Sequence, residues 1–93
     1  MKKPVKYSYD KTSDVLYLSV GVPKPANTEV KKYGIMVRRD TITSDIVGVT
    51  IIDFRYQVQH DVPIPDYLGK LSMPPEIIDV IKKLSSDPSQ LNK

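Results

Sequence analysis

The run Ile46-Val47-Gly48-Val49-Thr50-Ile51-Ile52, bracketed by Asp45 and Asp53, holds six β-branched residues in seven positions. Branching at Cβ stiffens the first side-chain torsion and suits a pleated strand better than a helix, so this stretch is read as a strand. Alternation puts Val47, Val49 and Ile51 on one face and Ile46, Gly48, Thr50, Ile52 and Phe54 on the other. Both faces are then largely apolar and both need cover. The strand is expected to be central in a sheet, its second face closed by a helix or by a second copy of the chain. Gly48 marks either a bulge or a close backbone approach.

A chain of 93 residues holds one domain with a modest core. The domain is drawn over residues 1–85, with 86–93 as a flexible C-terminal tail. Hydrophobic residues make up 40% and charged residues 27%, the balance of a folded chain. The absence of cysteine removes disulfides, thiol catalysis and thiolate metal sites, and fits a cytoplasmic location. No apolar stretch approaches the ~20 residues that span a bilayer, so no membrane association is expected.

Upstream of the central run, Val5, Tyr7 and Tyr9 alternate with polar residues and predict a first strand. Asp10 to Asp14 supply a turn, their carboxylates acting as acceptors for nearby backbone groups. Val15 to Val20 form a second strand, with Leu16, Leu18 and Val20 on one face. Two prolines in Gly21 to Pro25 end it. Thr28 to Lys32 suggest a short edge segment, and Ile35 to Arg39 a third strand that turns through 40–45 into the central one. The expected architecture is α+β: an antiparallel meander of about four strands and one C-terminal amphipathic helix.

That helix is predicted after Pro74 and Pro75, with Ser72 as a candidate cap and Glu76 in its first turn. Ile77, Val80, Ile81 and Leu84 recur at helical spacing, and the helix ends before Pro88. A helix of ~10 residues does not persist alone in water, so its stripe docks on the sheet or across a dimer. Residues 55–72 show no period and are read as an ordered connection, with a strand segment at 55–59 as the one candidate element.

Tyr9-Asp10, a short polar turn, Asp14-Val15-Leu16-Tyr17-Leu18, Gly34-Ile35-Met36-Val37 and Val47-Gly48-Val49 together resemble the family called domain of unknown function 2283, over about residues 5–54. Two features depart from that pattern: Thr50 stands where the family carries an acid, and the chain continues about 40 residues further. The resemblance implies a small β-rich fold, assigns no activity, and brings in a small toxin-like protein as a candidate partner.

Chemistry-bearing residues are sparse. His60-Asp61 is the one histidine–acid neighbour pair, but adjacent extended residues point apart, and no second histidine or cysteine completes a catalytic or metal set. The four glycines, at 21, 34, 48 and 69, form no phosphate loop. No catalytic, metal or cofactor residue is therefore assigned. Arg38 and Arg39 point to opposite faces of their strand, and a cross-strand salt bridge, with Asp53 as the suggested partner, is the expected use of one of them. The six tyrosines with Lys6 and Arg38 offer a stacking platform for single-stranded nucleic acid, against their ordinary role as half-buried core and rim.

The net charge is +3, and the 14 basic residues are interleaved with 11 acids, which argues for a solvated mixed surface. The expected function is a non-enzymatic protein-interaction module, a homodimer because both faces of the central strand are apolar, with weak nucleic-acid binding as the alternative. Lys6, Tyr17, Arg38, Arg39, Phe54, Ile77 and Ile81 are the residues expected at an interface or on nucleic acid.

Overall fold

The β-branched run is the middle strand of a five-stranded antiparallel sheet. The computed structural model describes residues 4–22, 24–87, 89 and 91. Its strands are β1 (Val5–Asp10), β2 (Val15–Val20), β3 (Ala26–Val30), β4 (Ile35–Asp40) and β5 (Ile46–Ile52), and its helices α1 (Phe54–Gln59), α2 (Ile64–Gly69) and α3 (Pro75–Ser86). The strand order is β1-β2-β5-β4-β3. The architecture is α+β as expected, but with five strands rather than four and three helices rather than one. The edge segment expected near 28–32 is a full strand, β3, paired along β4 from Ala26↔Asp40 to Val30↔Met36.

Nor is the sheet a simple meander. β2 pairs with β5, so the chain leaves β2, crosses to the far edge, and returns through β3 and β4 into the centre. Two turns with the same chemistry fix the hairpins around this path. Asp10 accepts from the backbone N–H of Thr12 and Ser13, and Asp40 from those of Ile42 and Thr43. Each turn closes on a left-handed residue, Asp14 (φ 57°) and Ser44 (φ 66°). The β3–β4 turn instead uses Tyr33 and Gly34, both at positive φ, the form whose twist matches a two-residue hairpin.

Register explains the core. Leu18, Val49 and Val37 stand opposite one another across β2, β5 and β4, and so do Leu16, Ile51 and Ile35. All six are buried on the face that the helices cover. Against them pack Phe54, Ile64, Leu68, Met73, Ile77, Ile81 and Leu84. Each fully buried side chain of this size contributes ~1.5–3 kcal/mol before entropy is subtracted. Leu91, in the stretch expected as a tail, is 4% exposed and belongs to the same core; residues 88, 90, 92 and 93 lie outside the described residues.

The alternation read for the central strand fails at one point. Arg38 stands opposite Gly48 but Arg39 opposite Ile46, so Val47 is an extra residue in β5. This bulge turns Ile46 into the core and leaves Val47 half-buried. Phe54 does not continue the outer face either, because the strand stops at Ile52 and Phe54 begins α1, fully buried. The second face of β5 thereby exchanges Ile46 and Phe54 for the half-buried Val47, which borders it beside Gly48, Thr50 and Ile52. The largely apolar outer face, one half of the premise for a homodimer, thus loses Ile46 and Phe54, two of the five residues read on it.

The connection expected at 55–72 contains two helices of six residues each. α1 takes its N-terminal hydrogen bonds from another hairpin: Asp14 accepts from the N–H of Arg55 at 2.8 Å and of Tyr56 at 3.0 Å. α2 buries Ile64 and Leu68, one turn apart. Tyr67 ties it to the β3–β4 turn by an edge-to-face contact with Tyr33 and by accepting from the N–H of Lys32. α3 begins with Pro75 after Pro74, and Ser72 lies outside it at φ 56°, so the serine cap expected there is not formed. The apolar stripe of α3 docks on its own sheet.

Candidate functional site

All three helices lie on one side of the sheet. The other face is open, and its side chains follow from the register. Lys6, Ser19, Gly48, Arg38 and Thr28 form one cross-strand row, and Ser8, Tyr17, Thr50, Met36 and Val30 the next. Lys6, Tyr17 and Arg38, from three different strands, line one shallow depression of about 300 Å³ together with Ser8, Ser19 and Thr50. Tyr17 is 46% exposed.

Gly48 shapes this floor. A Cβ at that position would lie 3.1 Å from the Leu18 carbonyl oxygen, and 3.5 and 3.6 Å from Arg38 Cδ and Nη1. The guanidinium arm of Arg38 therefore lies flat across β5, over the one residue that has no side chain to lift it. Neither Arg38 nor Lys6 forms an ion pair among the described residues. The depression runs on through Ser19, Val20, Gly21, Lys24 and Val47 into a second hollow of about 480 Å³, lined by Pro4, Lys6, Val22 and Lys24. Lys6, Lys24 and Arg38 thus border one trough, and none of its described lining residues is acidic. Lys24 is 3.7 Å from Asp40 at its rim. The carboxyl of Asp40 is held below the ordinary carboxylate range first by the N–H of Ile42, opposed by burial and reinforced by Thr43 and Lys24.

The remaining residues singled out in the sequence go elsewhere. Arg39 turns to the helix side of the sheet, where its Nε donates to Glu29 at 2.9 Å and its Nη1 to the Ser44 carbonyl. The expected cross-strand salt bridge therefore exists, but with Glu29 of β3 in place of Asp53. Phe54, Ile77 and Ile81 are fully buried within the chain, so the expectation that they meet a partner is corrected: core packing has already taken their apolar surface. His60 stacks on Tyr56 at 4.1 Å between ring centroids, and its Nδ1 lies 2.7 Å from the Tyr56 carbonyl oxygen. Among the described residues no group of three or more His, Cys, Asp or Glu side chains could hold a metal ion.

Ser8, Ser19 and Thr50 were missed as site residues. Each is the cross-strand neighbour of Lys6, Tyr17 or Arg38's row, so register was the signal that would have found them. A third hollow, of about 430 Å³, lies at the sheet end by Arg39, Asp45 and Glu76, where charges of both signs meet. No helix among the described residues is long and apolar enough to cross a membrane. No family model matches the chain, and no curated protein or solved structure is significantly similar to it.

Proposed function

We propose that this protein is a non-enzymatic binding module of the cytoplasm that holds an anionic partner against the open face of its sheet. The observation that carries the reading is the trough bordered by Lys6, Lys24 and Arg38 with no acidic residue in its described lining. Three cations gathered round a shallow floor, two of them without an ion pair among the described residues, raise the local concentration of negative charge and orient it. A symmetric sheet-to-sheet homodimer is the weaker alternative, because it would bring the Lys6 and Arg38 side chains of two copies together. The resemblance to domain of unknown function 2283 adds a small toxin-like protein as a candidate partner, provided that it presents an acidic patch.

The test compares two variants that lose the same charge from different places. Lys6→Ala/Arg38→Ala should elute from an immobilised polyanion at clearly lower salt than the parent. Lys82→Ala/Lys83→Ala, on the exposed side of α3, should elute close to it. Equal shifts for the two would mean that only net charge is being read, and the proposed face would be abandoned.

A further inference from the structure

Resting on the anionic-partner reading, the geometry points to a specific class of ligand: we infer that the open face binds single-stranded nucleic acid, with a base stacked on Tyr17 and the adjoining phosphates held by Arg38 and Lys6. Cations alone would suit any polyanion. The choice among polyanions comes from the half-exposed tyrosine in the same depression and from the hydroxyls of Ser8, Ser19 and Thr50 around it. A carboxylate chain has no flat surface to set against a ring, whereas every unpaired base has one. A duplex keeps its bases stacked inside and would offer this shallow face only its phosphates.

The register suits a nucleotide. Tyr17 and Ser19 are alternate residues of β2, and Ser19, Gly48 and Arg38 lie in one cross-strand row. Because Arg38 lies over Gly48, its guanidinium approaches β2, diagonal to Tyr17. Tyr17 and Arg38 stand on β2 and β4 with β5 between them, and both line the same depression, so a base set on the ring leaves its phosphate on the Arg38 side. Lys6 stands on the other side of Ser19, so a phosphate above that serine would meet a cation from each direction. Lys24 extends the track toward Val22, though it shares its charge with Asp40.

Two phosphates neutralised on a single strand give a log–log salt slope of roughly −1.4. Fluorescence anisotropy would be run on the full chain with labelled oligouridylate and oligothymidylate of about ten nucleotides, within the usual range for one small domain. A duplex of equal length and a polyglutamate peptide complete the probes. Single strands should bind tighter than either control. Tyr17→Leu should weaken single-strand binding about tenfold and leave the salt slope in place, while Tyr17→Phe, which keeps the ring, should bind like the parent. Arg38→Ala should weaken binding and flatten the slope by roughly 0.7.

Single strands held no better than duplex, or indifferent to Tyr17→Leu, would overturn the inference. If polyglutamate binding still fell with Arg38→Ala, the anionic-partner reading would survive with a protein ligand in its place. If no probe showed any dependence on Arg38, both would be lost.

Discussion

The phenol of Tyr9 donates a 2.6 Å hydrogen bond to Asp14 Oδ1, the oxygen that also accepts from the N–H of Arg55. Burial first, and this carboxylate second, push the ionisation of Tyr9 up from 10.0 to about 12. A group whose folded value is raised contributes stability that is complete below its unfolded value and is lost as pH rises through the folded one. The Tyr9 contribution is therefore intact at neutral pH and declines between pH 10.0 and about 12. In an ultraviolet titration of tyrosinate, Tyr9 should form the highest step, and Tyr9→Phe should remove that step while flattening the alkaline decline in stability. A Tyr9→Phe protein with an unchanged high-pH step would show that the Tyr9–Asp14 bond does not persist in solution. Asp10 and Asp40 work in the opposite sense. Their carboxyls are lowered chiefly by hydrogen bonds at Ser13 and Ile42 respectively, so what they add is lost in acid, below the ordinary value of 3.8.

Helix α1 shows how an element can be anchored from far along the chain. Asp53 stands where a capping residue usually stands, yet its backbone is left-handed at φ 57° and its side chain makes no cap bond. Asp14, 41 residues before Arg55, supplies both acceptors instead. Because Asp14 is itself at φ 57° and also accepts from Tyr9, Asp14→Gly made in a Tyr9→Phe background, where glycine relieves the backbone as the cap is lost, sets a lower bound on the cap's part. Urea denaturation should record a loss of a few tenths of a kcal/mol up to about 1 kcal/mol. No loss would mean that burial of Phe54 and the Gln57 bonds to the Tyr33 and Ile52 carbonyls hold α1 without the cap. This anchoring is also why α1 was illegible: six residues give one turn and a half, too short for a period, and the cap sits in another hairpin. α3 was legible because Ile77, Ile81 and Leu84 repeat over about two turns. In the sheet, β-branching found β5, but nothing local said that Val47 would be extra and Ile46 would turn inward. Of the site, Lys6, Tyr17 and Arg38 were readable as residue types, and their convergence depends on the β1-β2-β5-β4 order, which a hairpin-by-hairpin reading does not reach.

Across the whole molecule, one helical layer covers one face of the sheet, and the two ends of the sheet are unequal to its middle. β2, β5 and β4 are each paired on both sides and carry Leu16, Leu18, Ile35, Val37, Val49 and Ile51 into the core. β3 is an edge strand in which four of five residues are exposed. Ladder bonds backed by buried side chains open only with the whole fold, whereas those of an exposed edge open locally. Native-state hydrogen exchange should therefore find the amides of Val49 and Ile51 near the global stability, and those of Thr28, Glu29 and Val30 well below it. The contrast should hold as protein concentration is raised. Slow exchange throughout β3, strengthening with concentration, would mean that a second chain pairs along that edge; protection gained on the outer-face strands only when an anion is added would place the binding event on the Lys6–Arg38 face instead.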